Sequence, residues 1–184
     1  IKDTFINYIE EAIGRENALV AFSAFDEPAS TSVRYNPFKT SSRMEGRNVL
    51  WCEYGQILSS RPVFTLDPLF HAGAYYVQDS SSMFVGYSFR QMLTQVTVPS
   101  GRPLRVLDLC AAPGGKTFTM AEMMNGKGKI FAFDLHEKRV KLIRNGAERL
   151  GLENIIAAAG DASKFNPELP QFTKILCDVP CSGI

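Results

Sequence analysis

Cysteine, histidine, long apolar runs and net charge are all scarce in this sequence. The four cysteines and two histidines among the 184 residues show no paired zinc-ligand spacing, so neither a metal site nor a disulfide framework is expected. No apolar run has the length of a membrane-spanning helix, and the opening residues form an amphipathic pattern unlike a secretory signal. The net charge of +1 neither demands nor excludes a nucleic-acid partner. We therefore expect a reduced, cytoplasmic protein that binds neither a membrane nor a metal.

Apolar residues make up 45% of the chain, which is enough for a hydrophobic core. Their spacing becomes regular from Asp67 onwards. Helical periodicity predicts a helix in the first 14 residues, and short strands or turns are predicted at residues 32–35, 49–54 and 57–58. Residues 1–66 are therefore predicted to form a small α+β unit, and residues 67–184 a second, layered domain.

Strand and helix patterns alternate regularly in this second domain. A helix is predicted first, at residues 80–94. The order is then strand, helix, strand, helix, strand, strand, at residues 103–109, 117–124, 129–135, 136–150, 154–161 and 174–180. Such alternation is typical of an open parallel sheet covered by helices. We therefore predict an α/β, Rossmann-like fold of which the chain contains the first four strands.

The segment LDLCAAPGGKT, residues 107–117, joins a buried strand directly to a helix through small residues. This arrangement points free backbone N–H groups and the positive end of a helix dipole towards a ligand beyond the strand. The loop is neither the G-x-G-x-x-G of dinucleotide enzymes nor the triphosphate loop, whose first glycine would stand at Cys110. An amino-acid carboxylate therefore fits better than a pyrophosphate, although an ordinary strand-to-helix turn is the plainer alternative.

Acidic residues end three of the four predicted strands. Asp134 is placed to accept hydrogen bonds from ribose hydroxyls, and Asp161 to reach an adenine amino group. Each also has a structural alternative, because Asp134 could cap the following helix and Asp161 could stabilise a turn. Asp178 ends the fourth strand. Ligands of open α/β sheets bind beyond the carboxyl ends of the strands, so together these residues indicate an adenosine with an amino-acid tail, S-adenosylmethionine.

Four motifs in a fixed order, LDLCAAPGGKT, FDLHEKR, GDAS and CDVPCSG, resemble the RNA (cytosine-5)-methyltransferases of the Sun/Fmu (RsmB/RsmF-like) type. The resemblance extends upstream to FHAGAYYVQDSSSM and, more weakly, to VRYNPFKT. It implies a class I S-adenosylmethionine-dependent methyltransferase fold preceded by an RNA-binding-like unit. It also implies that RNA, above all ribosomal RNA, is the partner and 5-methylcytosine the product.

The resemblance assigns site residues at matching positions. The cofactor loop would consist of Cys110, Ala111, Ala112, Pro113, Gly114, Gly115 and Lys116. Asp134 would hold the ribose, Arg139 would line the same site, and Asp161 would face the adenine. Asp178 would stand close to the transferred methyl group and the target base, and Cys181 would be a catalytic cysteine.

Methylation of cytosine at carbon 5 requires a thiol, because this carbon is a poor nucleophile. A thiolate that adds to carbon 6 makes carbon 5 nucleophilic, and the thiol leaves after carbon 5 has lost its proton. In the enzymes that the chain resembles, the nucleophile belongs to a later Thr-Cys motif, and the cysteine at the position of Cys181 acts in product release. The 184 residues contain no Thr-Cys pair. We therefore expect a C-terminally incomplete fold that does not turn over by itself.

An RNA-contacting surface is suggested by basic residues interleaved with aromatic ones before the methyltransferase motifs: Arg34, Tyr35, Phe38, Lys39, Arg43 and Arg47. A solvated loop is the alternative. For the whole protein, the alternatives are a non-catalytic RNA-binding or ribosome-assembly factor with a retained cofactor fold, and a DNA cytosine methyltransferase. Cys110 and Cys177 are interpreted as packing residues.

Overall fold

The computed structural model describes residues 3–39, 42–95 and 103–179. The chain divides into two compact units, Ile1–Ser30 and Thr31–Ile184. The first unit consists of two helices, α1 (Asp3–Ile13) and α2 (Arg15–Ser23), joined at Gly14. The rings of Phe5, Phe22 and Phe25 pack together with centroids 6.4–6.5 Å apart. Helix α1 confirms the predicted amphipathic helix, whereas α2 was not predicted.

An antiparallel sheet begins the second unit. Its strands are β1 (Ser32–Tyr35), β2 (Gly46–Val49), β3 (Cys52–Leu58) and β4 (Tyr75–Val77), in the spatial order β2-β3-β1-β4. A short helix, α3 (Pro68–His71), precedes β4, and Asp67 caps it by accepting from the Leu69 N–H. The strand predicted at residues 32–35 is confirmed. Strand β4 was not predicted, because its three residues are too few to show a period.

A parallel sheet follows helix α4 (Phe84–Gln95), and its elements are β5 (Arg105–Asp108), α5 (Gly115–Met124), β6 (Lys129–Asp134), α6 (Glu137–Leu150), β7 (Ile155–Ala159) and β8 (Lys174–Leu176). The spatial order is β7-β6-β5-β8, and all three pairings are parallel. The predicted Rossmann-like α/β fold is thus confirmed. Because the strands are parallel, their carboxyl ends all meet at one edge of the sheet.

The core of the parallel sheet lies between its central strands and the covering helices. Val106 of β5 and Ile130 of β6 are fully buried, as are Val140 and Ile143 of α6. Strand β8 is only partly buried, and Cys177 just after it is exposed. The interpretation of Cys177 as a packing residue is therefore wrong, because this residue lies beyond the hydrogen-bonded part of the strand.

Both sheets belong to the unit Thr31–Ile184. Strand β4, which follows the predicted domain boundary after residue 66, pairs with β1 before it. The division into domains 1–66 and 67–184 stays a prediction. Among residues 3–39, 42–95 and 103–179, no helix combines the length and the apolar character needed to cross a bilayer.

Candidate functional site

The loop between β5 and α5 turns sharply at Gly114. This residue has a φ of +112°, and a Cβ atom there would lie 2.3 Å from the ring of Phe118. Only glycine meets both conditions, since the left-handed region strains other residues and the ring leaves no room. Helix α5 then begins at Gly115. Its first N–H groups and the positive end of its dipole therefore lie at the carboxyl edge of the sheet.

Asp108 fixes this loop from below, although the sequence analysis did not single it out. Its carboxylate is buried and accepts a hydrogen bond from the Thr117 hydroxyl at 2.6 Å. Burial raises the pKa of Asp108 to about 6, against the opposing effect of the hydrogen bonds from Thr117 and the Cys110 N–H. Its position in the sequence could have indicated a role at the site, because Asp108 ends β5 as Asp134 ends β6.

Asp134 and Arg139 hold the other side of the loop. The buried carboxylate of Asp134 accepts from the Ala112 N–H at 3.2 Å and from the His136 N–H at 3.4 Å. The Arg139 guanidinium donates to the Ala112 carbonyl at 3.0 Å and lies 3.5 Å from the Asp134 carboxylate. Asp134 is therefore a loop anchor, and its role as ribose ligand stays a prediction. The alternative role as cap of α6 is wrong, because the N-cap is His136, and the contact of Asp134 at this helix terminus is with the N–H of that residue.

A cavity of about 520 Å³ opens above these residues. Its walls come from the ends of β5, β6, β7 and β8 and include Cys110, Ala112, Asp134, Leu135, His136, Arg139, Gly160, Asp161, Ser163 and Asp178. Sites for small molecules usually measure about 300–1,000 Å³. The cavity is thus large enough for a nucleoside with an amino-acid tail, and three carboxylates, those of Asp134, Asp161 and Asp178, line it.

Asp161 is held in place by the turn that follows β7. Its carboxylate accepts from the Ser163 N–H at 3.0 Å and from the Ser163 hydroxyl at 2.6 Å. These hydrogen bonds lower the pKa of Asp161, and Lys164 adds to the effect. The turn role and the ligand role considered for Asp161 are therefore compatible, because the carboxylate also lines the cavity.

A second cavity, of about 190 Å³, adjoins the first. The two cavities share Cys110, Ala112 and Asp178. The smaller one is also lined by Asp108, Ala111, Pro113, Gly115 and Lys116, and by four residues from β4 and the turn after it: Val77, Gln78, Asp79 and Ser82. These last four were not predicted as site residues, since hydrogen bonds of Tyr76 and Gln78 with Thr119 of α5, more than 40 positions later, hold this segment at the edge.

Lys116 and Asp178 form an ion pair at the mouth of the smaller cavity. Both side chains remain partly exposed, with Asp178 at 49% and Lys116 at 26%. The pair joins the end of β8 to the first turn of α5. It therefore places one positive and one negative group beside the boundary between the two cavities.

The structure brings together nearly all the predicted site residues that it describes. Every one of them lines a cavity except Gly114, whose role is the turn. Cys181 lies outside the described residues. Burial raises the pKa of the Cys110 thiol, and the neighbouring Cys177 thiol and nearby carboxylates add to this effect. A protonated thiol is a weak nucleophile. The packing role expected for Cys110 stays a prediction, because this residue is half-buried and lines both cavities.

The predicted RNA-contacting surface around β1 is only partly present. Arg34 and Tyr35 are buried, and Arg34 is paired with Glu122 at 2.8 Å. Lys39 donates to the carbonyls of Ala72 and Arg149. Arg43, Arg47 and Phe38 are exposed. The prediction is therefore wrong for Arg34 and Tyr35, because alternate residues of β1 face different neighbours and this strand lies inside its sheet.

Within the described part of the chain, no three His, Cys, Asp or Glu side chains are grouped so that they could hold a metal ion. The acidic residues of the site are instead distributed around the cavity walls.

Two family models match the chain. The model for the 16S rRNA methyltransferase RsmB/F matches residues 99–184. The model for the N-terminal domain of the 16S rRNA methyltransferase RsmF matches residues 1–80. The motifs at the carboxyl edge of the parallel sheet fall in the first of these matches, and β1, β2, β3 and β4 fall in the second.

Similar proteins include the ribosomal RNA small subunit methyltransferase F of an Enterobacter species, which is 31% identical over 98% of this chain. The human 28S rRNA (cytosine(4447)-C(5))-methyltransferase is 32% identical over 90% of the chain. The chain spans 40% and 21% of the lengths of these two proteins. Among solved structures, that of PH0851 has a TM-score of 0.82 and 25% identity, and covers 96% of this chain and 41% of its own.

Proposed function

The chain belongs to the Sun/Fmu family of RNA (cytosine-5)-methyltransferases, which includes RsmB and RsmF, and from this membership we propose that it forms the cofactor-binding part of an enzyme that makes 5-methylcytosine in ribosomal RNA. One observation carries the proposal. The loop before α5, Asp134, Asp161 and Asp178 surround a single cavity at the carboxyl edge of a parallel sheet. This arrangement suits a nucleoside with an amino-acid tail better than it suits a dinucleotide.

The larger cavity is the proposed cofactor site. Bound S-adenosylmethionine supplies an electrophilic methyl group on its sulfonium. Asp134 accepts hydrogen bonds from the ribose hydroxyls, and Asp161 accepts from the adenine amino group. The methionine part lies along Cys110 and Ala112, which line both cavities, so that its carboxylate approaches the positive end of α5 from the larger cavity. Arg139 keeps the loop closed through its bond to the Ala112 carbonyl.

The smaller cavity is the proposed site of the target cytosine. Asp178 lines both cavities, so its carboxyl group stands where methyl donor and base would meet. We assign Asp178 the transfer of a proton to the base nitrogen when the thiol adds to carbon 6. The carboxylate passes on a proton from the neighbouring Lys116 ammonium group, which is left neutral. The ammonium group of Lys116 donates to Asp178. Lys116 thereby orients this carboxyl group towards the base.

The thiol chemistry is proposed from the family and not from contacts. Cys181 follows Pro180 in the CDVPCSG motif, three residues after Asp178. We propose that it acts when the product is released, and that a Thr-Cys thiol absent from these 184 residues adds to carbon 6. The chain is accordingly expected to bind the cofactor without turning over. We further propose a cytoplasmic location, where ribosomal RNA of the bacterial relatives is found.

The test separates binding from chemistry. Calorimetric titration of the 184-residue chain with S-adenosylmethionine is expected to show one site, weakened at least about 10-fold by Asp134→Ala, because a hydrogen bond to a charged group contributes about 1.5–3 kcal/mol. Glu137→Gln is the matched control, since Glu137 is an exposed carboxylate on α6 whose partner is Arg144. Absence of cofactor binding by the folded chain would contradict the proposal.

Methyl transfer is then measured with a protein that contains this chain and a Thr-Cys motif. Labelled cofactor, ribosomal RNA and mass spectrometry of its nucleosides show whether 5-methylcytosine forms. Asp178→Asn is expected to abolish the product while cofactor binding persists. The alternative, a non-catalytic RNA-binding or ribosome-assembly factor, predicts RNA binding without any methylated product.

A further inference from the structure

Three exposed aromatic side chains form a continuous surface beside the smaller cavity. We name the rings of Trp51, Phe84 and Tyr87 the aromatic surface. Their exposed fractions are 38%, 50% and 45%. Phe84 and Tyr87 are stacked with centroids 5.3 Å apart and an interplanar angle of 26°. Trp51 meets Phe84 edge-on at 6.3 Å. Phe84 thus contacts both other rings, and all three are exposed to solvent. Such an exposed apolar patch normally marks a binding site.

The packing of α4 explains why these rings point outwards. Gly86 and Phe89 are buried on the other side of the helix. At Gly86 a Cβ atom would lie only 2.6 Å from the Thr119 methyl group, so α4 lies directly against α5. Helix periodicity then places Phe84 and Tyr87 on the outer side. Two of the three rings thus stand on a helix, whereas Trp51 belongs to the turn between β2 and β3.

Trp51 is held by a hydrogen bond from its indole N–H to the Ser80 carbonyl at 2.8 Å. Ser80 belongs to the turn that leads from β4 into α4. In the same turn, Asp79 and Ser82 line the smaller cavity together with Lys116. The aromatic surface therefore starts where the wall of the smaller cavity ends.

A positive charge lies next to the rings. Arg90 is exposed and lines a cavity of about 140 Å³ together with Trp51 and Tyr87. It has no salt-bridge partner among residues 3–39, 42–95 and 103–179. Aromatic faces with an adjacent arginine are the elements with which proteins bind unpaired nucleic-acid strands: the rings stack on bases and the cation contacts phosphate.

We propose that the aromatic surface stacks on the unpaired bases of RNA that flank the target cytosine. The inference rests on the proposed RNA substrate and adds a binding site outside the reacting centre. A cytosine in the smaller cavity must leave its helical stack, so its neighbours lose a stacking partner. The aromatic surface begins at Phe84, two residues after Ser82 of the cavity wall, and replaces that partner. Because every base has an apolar face, the surface binds without strict sequence preference.

Trp51 is the only tryptophan of the chain and therefore reports on this surface by itself. Addition of an unstructured single-stranded RNA of about ten nucleotides to the 184-residue chain is expected to quench its fluorescence, because a stacked base contacts the indole. The same sequence as a duplex is expected to quench far less, since its bases are already stacked. Heparin, a polyanion without bases, controls for charge. Quenching by heparin equal to that by single-stranded RNA would overturn the proposal.

Variants separate stacking from charge and from folding. The double change Phe84→Ala and Tyr87→Ala keeps the Trp51 reporter and is expected to weaken single-stranded RNA binding about 10-fold or more. Tyr87→Phe keeps the ring and is expected to bind like the unchanged chain. Phe165→Ala is the matched control, because Phe165 is 92% exposed and lies in a loop outside the aromatic surface. Circular dichroism checks that each variant is folded.

The outcome differs from failure of the proposed function. Cofactor binding and methyl transfer with an unquenched Trp51 would refute the aromatic surface and leave the enzyme assignment intact. If RNA quenched Trp51 but the chain did not bind the cofactor, the proposed function would be refuted and the aromatic surface would stand. Another occupant is a second copy of the chain. Dimerisation seen by light scattering, removed by the double change while RNA leaves Trp51 unaffected, would also overturn the proposal.

Discussion

Arg34 of β1 donates from Nε to Oε2 of Glu122 in α5 at 2.8 Å, and both side chains are almost completely buried. This ion pair joins the antiparallel sheet to the helix that begins in the cofactor loop. Arg34 also donates to the Cys52 sulfur, whereas Oε1 of Glu122 has no hydrogen-bond partner within the described residues. Burial raises the pKa of Glu122 to about 7, and Arg34 opposes this effect.

Arg34→Met is expected to destabilise the chain by about 3–5 kcal/mol, because it leaves the Glu122 carboxylate buried without a cation. Urea unfolding at pH 8 followed by circular dichroism measures the loss. The loss should shrink at low pH, where Glu122 is protonated.

The double change Arg34→Met and Glu122→Leu is the control, since it removes both charges and is expected to recover most of the stability. A single change as mild as the double one would show that the pair contributes little to the contact between β1 and α5.

Gly114→Ala is expected to destabilise the chain by about 2–4 kcal/mol, through the strained backbone and the clash with Phe118. Gly115→Ala is the matched control, because its Cβ would meet only Gln78 at 3.5 Å and its φ is not in the left-handed region. Thermal unfolding of both variants measures the difference. Equal melting temperatures would contradict the role assigned to the turn at Gly114.

The sequence predicted the parallel sheet and its cofactor edge well because their signals are local. Each strand is a short apolar run that ends at an acidic or small residue, as at Asp134 and Asp161. Parallel pairing then brings these ends together without further information. The four strand ends could therefore be placed around one cavity before any coordinates were known.

Other features depend on partners far along the chain. Arginine is usually a surface residue, and the buried partner of Arg34, Glu122, stands 88 positions later. Gln78 reaches the smaller cavity with a hydrogen bond to Thr119 of α5, 41 positions later, and the three residues of β4 carry too little pattern to predict that strand. The predicted RNA-contacting surface at Arg34 and Tyr35 was wrong for the same reason. Charge and aromaticity in a sequence do not reveal which side of a strand is covered.

Asp134→Asn tests whether the cofactor needs a charge or only a loop anchor. The amide keeps an acceptor oxygen for the Ala112 N–H but lacks the negative charge that strengthens bonds from ribose hydroxyls. We expect about 10-fold weaker cofactor binding by calorimetry and a change in stability below about 1 kcal/mol. If binding and stability fell together, Asp134 would act as an anchor alone.

Asp108 gives a pH dependence whose sign is opposite to that of most surface carboxylates. Burial raises its pKa from 3.8 to about 6 in the folded chain. Between these values the folded state binds more protons than the unfolded state, so stability falls as pH rises. The shift corresponds to about 3 kcal/mol, fully present below about pH 4 and lost as pH passes about 6.

Asp108→Asn mimics the protonated acid and keeps an acceptor for the Thr117 hydroxyl. Urea unfolding of both proteins from about pH 4 to 7 is expected to show the unchanged chain losing stability relative to the variant. The difference between the two curves is needed because Glu122 titrates with the same sign. Asp161→Asn is the control, since Ser163 lowers the pKa of Asp161 from 3.8. The contribution of Asp161 is lost only below this range, so its difference curve is expected to stay flat from about pH 4 to 7. If the difference curve for Asp108 stayed flat across this range, its pKa would be the same in the folded and unfolded chain. The carboxylate would then be solvated by water and not buried as the structure indicates.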